Sequence, residues 1–155
     1  MTLVVRPMRP DRTEIEAVAA MRHAAFFAGT ARTAAVDADG LERLLRATAA
    51  EAAFVAAFDG EMCGSCLLVA RELDQHHDVG PWLAGLVVAA HLRGRGIGAA
   101  LVGAVEREAA RRGVTRLHLY TGEAERLYAR LGWTVLDRFM DGDGQAATLM
   151  ARDIR

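Results

Sequence analysis

At 155 residues the chain has the length of one ordinary domain with a full core of its own, expected to span residues 1–155. It is 52% apolar and 25% charged with a formal net charge of −1, a globular composition that argues against a nucleic-acid surface, where a clustered basic excess is expected. No apolar run is long enough to span a membrane and no signal peptide is expected at the N-terminus, so the expected location is the cytoplasm.

Leu3–Arg6 reads as a first strand ending at Pro7. Asp11 with Glu14 three residues on has the pattern of a capping box, opening a helix with Ile15, Val18, Ala19 and Phe26 on one face. Residues 29–38 read as a loop. Asp39 with Glu42 repeats the helix-start signal for a second helix carrying Leu41, Leu44 and Leu45. Ala53–Phe58 and Met62–Leu73 flank Asp59-Gly60, a strong hairpin signal. A polar loop, Asp74–Gly80, leads to the strand Trp82–Val88. A glycine-rich turn follows, then a helix to about Arg112 with Ile97, Leu101, Val105 and Ala109 at i, i+4 spacing and Gly113 as its terminator. Arg116–Thr121 is another strand and Glu123–Leu131 a short helix ended by Gly132. Thr134–Phe139 and Ala146–Arg152 close the chain as a hairpin. The order β-α-α-β-β-β-α-β-α-β-β implies a mixed, mostly antiparallel sheet of six to seven strands with helices on both faces.

Lys and Asn are absent while Ala and Arg abound, a bias that reads as a GC-rich, bacterial genome rather than a functional choice. Cys63 and Cys66 form a C-x-x-C, a spacing used in redox and metal sites. On a regular strand that spacing sends the two side chains to opposite faces, so the expectation is two packed thiols in a reducing compartment.

The most informative segment is Arg93-Gly94-Arg95-Gly96-Ile97-Gly98-Ala99, set between a strand and a helix. Gly94, Gly96 and Gly98 let the backbone turn tightly and leave its N–H groups uncovered, and the helix start adds partial positive charge. Together these suit a phosphate or pyrophosphate. Gly94, Gly96 and Ala99 also satisfy the dinucleotide pattern G-x-G-x-x-G/A. That reading fails on placement. The motif follows antiparallel hairpins, too little chain remains for a doubly wound sheet, and the acidic residue expected about twenty positions on is missing, that interval falling in Arg111–Leu117.

The same segment resembles the Q/R-x-x-G-x-G/A signature of the GNAT superfamily of acetyl-CoA-dependent N-acyltransferases. Leu86-Val87-Val88, just before the turn, is similar to that family's fourth strand. Ala124-Glu125-Arg126-Leu127-Tyr128-Ala129-Arg130-Leu131-Gly132-Trp133 resembles its A-x-x-L-Y-x-x-L-G-F/W segment. The element order is also the family's, so the resemblance covers essentially the whole chain.

The resemblance implies that acetyl-CoA is the cosubstrate and that no metal takes part. The backbone N–H groups of Gly94, Arg95, Gly96, Ile97, Gly98 and Ala99, with Arg93 at the head of the motif, would hold the pyrophosphate. Leu86, Val87 and Val88 would run beside the pantetheine arm, and the Leu86 N–H would donate to the thioester carbonyl. Tyr128 aligns with the tyrosine assigned as the acid for the departing thiolate. Proton transfer from a phenol near pKa 10 to a thiolate near 8.5 is uphill by about 2 kcal/mol, so the physics favours a hydrogen-bonding role. Many relatives carry Asn seven residues before the tyrosine; here Thr121 stands there, with a shorter reach.

The family's frequent acidic residue on the fourth strand is absent from Trp82-Leu83-Ala84-Gly85-Leu86. An alkyl ammonium nevertheless needs a proton acceptor near neutral pH. His76, His77 and Asp78 in the preceding loop are the candidates, ahead of His91 and His118. Substrate contacts in such folds would come from Phe26, Phe27, Arg32, Asp37, Asp39, Asp141 and Asp143, where mouth carboxylates would suit a cationic amine. The expected activity is acetyl transfer to a primary amine of a small molecule or peptide by a monomer or homodimer, with no nucleic-acid or membrane partner. The alternative is a non-catalytic acyl-CoA-binding or sensing module on the same fold.

Overall fold

The computed structural model describes residues 2–46 and 50–154. The elements follow the expected order: β1 (Leu3–Pro7), α1 (Arg12–Arg22), α2 (Ala34–Arg46), β2 (Ala52–Phe58), β3 (Glu61–Val69), β4 (Trp82–Val88), α3 (Ile97–Arg111), β5 (Arg116–Thr121), α4 (Glu125–Arg130), β6 (Thr134–Met140) and β7 (Ala146–Asp153). One seven-stranded sheet runs β1-β2-β3-β4-β5-β7-β6, antiparallel at every junction except β4–β5. Helices cover both faces. Ile15, Val18 and Ala19 of α1 pack with Ala38, Leu41 and Leu44 of α2 over one side. Ile97, Leu101 and Val105 of α3 join Tyr128 of α4 and Trp133 on the other. Among the described residues no helix is long and apolar enough to cross a membrane.

Local chemistry sets the helix starts, and in two places differs from the expectation. Asp11 caps α1 by accepting from the Thr13 N–H at 2.9 Å. Glu14 does not close a capping box. It turns to the Arg6 guanidinium (2.6 and 3.0 Å) and the Arg9 N–H (2.6 Å), tying β1 to α1. The Arg6 hydrogen bond holds its carboxyl below the usual range. α2 begins at Ala34 rather than near Asp39, because Thr33 Oγ1 accepts from the Val36 N–H at 3.1 Å and provides the cap. Asp39 instead pairs with Arg12. Phe26 leaves the buried face of α1, because residues His23–Phe27 widen into a π-helical turn, and its ring is exposed.

Two bulges in β3 and β4 shape everything downstream. Ala56 pairs with Gly64 and Ala57 with Met62, leaving Cys63 as the extra residue. That insertion reverses the alternation, so Cys63 and Cys66 both join the α3-side core, not opposite faces as strand periodicity predicts. They are free thiols, donating to the carbonyls of Ala56 and Ala84 respectively. On the other edge of β3, Ser65 faces Val87 while Leu67 faces Ala84, so Gly85 and Leu86 together oppose Cys66. Gly85 takes φ +64°, a conformation that glycine adopts without steric cost. β3 also stops at Val69, short of the Leu73 expected, and residues 70–81 form the connecting loop.

Candidate active site

Trp82 opposite His118 is the one register pair between β4 and β5 among the described residues, reinforced by the His118 N–H donating to the Pro81 carbonyl at 3.1 Å. Beyond it the two strands have no ladder. A cleft of about 1370 Å³ opens along this seam, walled by Leu83–Leu86 on one side and Tyr120, Thr121 and Tyr128 on the other. Arg93 stands in its lining, and Arg22, Phe27, Arg32 and Glu72 line it too.

The glycine turn follows β4. Gly94 and Gly96 both have φ +80°, and a Cβ at either position would meet nothing within 4 Å, so the outer face of the turn is open. Gly96 is the N-cap of α3, and no side chain caps that helix. The first-turn N–H groups therefore lack the side-chain acceptor that most helices supply, which leaves a concave donor surface suited to an anion. Ile97 is buried beneath the turn, anchoring it. A Cβ on Gly98 would lie 3.8–4.0 Å from Leu86, Val88 and Leu127, so α3 starts in close contact with the end of β4. Arg95 stacks its guanidinium over the Phe58 ring at 5.5 Å. Val87 is buried, while Leu86 and Val88 are partly exposed.

Tyr128 is 5% exposed, lines the cleft and meets Trp133 edge to face at 6.0 Å. Burial, with Cys66 nearby, pushes its phenol above the ordinary range, so it stays protonated at neutral pH. Cys66 is also wholly buried, and burial pushes its thiol up to about 12. Thr121 Oγ1 accepts from the Ala124 N–H at 2.9 Å, so this hydroxyl is already engaged in its own turn while it lines the cleft.

The loop candidates for a proton acceptor are placed elsewhere. The Tyr120 hydroxyl accepts from the N–H groups of His76 and His77, each at 3.0 Å, and so donates its own hydrogen to His77 Nδ1 at 2.8 Å. His77 Nε2 then carries the hydrogen and donates to Asp137 at 2.8 Å. This chain clamps the 70–81 loop onto β5 and β6, and neither His77 nor Asp78 lines the cleft. His76 pairs with Asp74, His91 is exposed, and His118 lies tilted against Trp82 with ring centres 5.7 Å apart. One titratable group that sequence reasoning missed is Glu72. It lines the cleft, and burial raises its carboxyl above the usual range. Only its position past the early end of β3 brings it there, which no local pattern announces.

Of the expected mouth carboxylates, Asp37, Asp39 and Asp141 are already engaged, while Asp143 is exposed on the β6–β7 turn. Asp37 is 1% exposed and lies between Arg22 and Arg32. Asp141 Oδ1 accepts from the N–H groups of Asp143 and Gln145 and shapes the β6–β7 turn. Among the described residues, no group of three or more His, Cys, Asp or Glu side chains is placed to hold a metal ion.

Residues 49–135 match the family model described as an acetyltransferase (GNAT) domain. No curated protein sequence matches the chain. Among solved structures, an aminoglycoside 6'-N-acetyltransferase complexed with coenzyme A superposes with a TM-score of 0.80 at 17% identity, over 98% of this chain and 97% of that one. An N-acetyltransferase from Staphylococcus aureus Mu50 gives 0.78 at 16% identity, over all of both chains. A ribosomal-protein-alanine N-acetyltransferase from Brucella melitensis gives 0.78 at 18%, over 97% and 99%. At these identities the likeness concerns the fold.

Proposed function

The chain belongs to the GNAT acetyltransferase family, and from that premise we propose that it transfers an acetyl group from acetyl-CoA directly to a primary amine. The observation that carries this reading is the uncapped, open glycine turn at the start of α3, set beside the seam where β4 and β5 part. A pyrophosphate fits that turn because its N–H groups converge on an unobstructed face, and an extended arm fits the seam because strand edges there have no ladder partner. That one structural neighbour was solved with coenzyme A supports the same ligand.

The backbone of Gly94–Ala99 holds the pyrophosphate, with Arg93 and Arg95 adding charge. Leu86–Val88 line the arm, and the Leu86 N–H, at the bulge, donates to the acyl oxygen as negative charge develops there. Thr121 contributes from the facing wall. Bound acetyl-CoA supplies an activated acyl carbon and a thiolate leaving group. Glu72 takes the proton from the incoming ammonium, a task its raised carboxyl suits better than an ordinary one would. The amine nitrogen then bonds to the acyl carbon as the carbon–sulfur bond breaks, and the second proton the nitrogen sheds passes to the departing thiolate, which leaves as the thiol. Tyr128 donates a hydrogen bond to the departing sulfur without losing its proton, since burial makes full transfer still more uphill than for a free phenol. Neither cysteine carries the acyl group; both are buried thiols in the core. Those two unpaired thiols suit a reducing compartment, and we place the enzyme in the cytoplasm. Thiol release from acetyl-CoA in the presence of a panel of primary amines tests the activity: amine-dependent release supports it, and its absence across the panel contradicts it.

A further inference from the structure

The acceptor end of the cleft holds one carboxylate between two guanidiniums. Asp37 accepts from Arg22 Nε (2.8 Å) and Nη2 (3.2 Å) and from Arg32 Nε (3.2 Å) and Nη2 (3.0 Å). Asp37 alone balances only one of the two guanidiniums, and a further carboxyl in the cleft, Glu72, is close enough to Arg22 for the two charges to interact. Arg22 is 5% exposed, yet its remaining terminal nitrogen, Nη1, has no hydrogen-bond partner among the described residues. Nη1 lies against Gly85 in the β4 bulge. A Cβ on Gly85 would collide with it, so the glycine is what lets the guanidinium reach this wall.

Position reinforces the point. Arg22 is the last residue of α1, immediately before the π-helical turn that carries Phe26 and Phe27. Its Cζ stands 6.0 and 5.7 Å from their ring centres, and Arg32 covers the Phe27 ring at 5.1 Å. The guanidinium is thus held on its Asp37 side and beside the aromatic rings, with one nitrogen, Nη1, and its two hydrogens left without a partner at the cleft wall. A buried charged donor without an acceptor is expensive, and native structures retain one chiefly where a ligand or bound water completes it.

We propose that the acceptor amine also bears a carboxylate, which Arg22 Nη1 receives beside Gly85; the substrate class is an amino acid or a similar amino-carboxylate. This rests on the acetyltransferase reading above and deepens it. At this end of the cleft a polycationic acceptor would meet two guanidiniums, and Asp37 between them is already shared by both. A free carboxylate supplies the missing acceptor as a charge-assisted one, whereas a neutral amide supplies a weaker acceptor and no charge.

The test uses the full chain with saturating acetyl-CoA and follows thiol release with alanine against alaninamide, phenylalanine against phenylalaninamide, and kanamycin as a polycation. CoA binding is measured separately by calorimetry. The expected result is kcat/KM roughly tenfold or more higher for at least one free acid than for its amide, carried mainly by KM. Arg22→Lys, which keeps a charge for Asp37 but lacks the third nitrogen, should bring that ratio close to one with CoA affinity unchanged. Amides or kanamycin used as well as the acids, no turnover of any probe by CoA-binding protein, or an acid-to-amide ratio unchanged in Arg22→Lys would each overturn the proposal while leaving CoA binding intact. Failure to bind CoA would instead remove the acetyltransferase reading and this proposal with it. Should Arg22→Lys not fold, the wild-type ratio alone decides.

Discussion

Trp82 and His118 join β4 to β5 as the one register pair among the described residues, their rings tilted at 57° with centres 5.7 Å apart, and the strands part beyond them. Trp82 is fully buried and also meets Tyr120 at 4.6 Å. The pair is the hinge-point of the cleft: it fixes where the sheet is continuous and where it opens.

His118 ties that junction to pH. Burial lowers its proton affinity below the ordinary value of 6.5. The folded state therefore prefers the neutral ring, and the unfolded chain binds the proton more readily. This contribution to stability is fully present above 6.5 and is lost as pH falls from there through the depressed folded value. Urea unfolding at pH 7.5 and at pH 5.5 should show a lower midpoint at the acid end, and His118→Gln should flatten the difference. An equal fall in the variant would assign the effect to other groups.

Gly96→Val places a branched side chain on the open face of the turn, at φ +80°. Coenzyme A affinity should fall by roughly tenfold or more. The melting temperature of the free protein should fall as well, because a β-branched residue is strained at this φ even with open space around it, so affinity is read at a temperature where the variant is folded. Calorimetry on the variant reads this directly; normal CoA affinity would move the pyrophosphate elsewhere.

Tyr128→Phe keeps the ring and its contact with Trp133. What is lost is one hydroxyl facing charge that appears late in the reaction. We expect kcat and kcat/KM to fall together by about 10²-fold with CoA affinity preserved. Wild-type kcat in this variant would reduce Tyr128 to a core aromatic.

Glu72→Gln removes the cleft carboxyl with little change of shape. In the wild type kcat/KM should rise with pH as this carboxyl ionises, at a pH above the usual carboxylate range, because only the ionised form accepts a proton. The variant should lose that limb and much of the rate. An unchanged profile would give the base role to water or another group.

Cys66→Ala should keep turnover while losing stability through the cavity it leaves. A thiol pushed up to about 12 is protonated at neutral pH and a poor nucleophile. Mass spectrometry of enzyme quenched during turnover should show no acetyl-cysteine; finding one would replace direct transfer by a two-step route.

The element order and the glycine turn were legible in the chain because each rests on local rules: alternation, i, i+4 spacing, turn glycines. The misreadings have two causes, tertiary competition for a side chain and backbone irregularities that no local pattern marks. Glu14 has the spacing of a capping box, but Arg6 from the neighbouring strand outbids the helix N-terminus for it. Asp39 has the same spacing, while Thr33 takes the cap six residues before it, so that Asp37 enters the helix and meets Arg22. The cysteines misled because a bulge at Cys63 is invisible to a period of two. Glu72 and Arg22 were missed for a related reason: each reaches the cleft only through the early end of β3 or the glycine at the bulge, neither of which marks itself in sequence.

Everything in this account depends on the α3 turn receiving the pyrophosphate of coenzyme A rather than that of another nucleotide. Thermal unfolding of the wild-type chain, with saturating coenzyme A in one arm and saturating NAD in the other, tests this most directly. Coenzyme A should raise the melting temperature because it binds only the folded state, and NAD, which carries a pyrophosphate but no arm to fill the β4–β5 seam, should leave it unchanged. A shift with NAD and none with coenzyme A would contradict the account at its root.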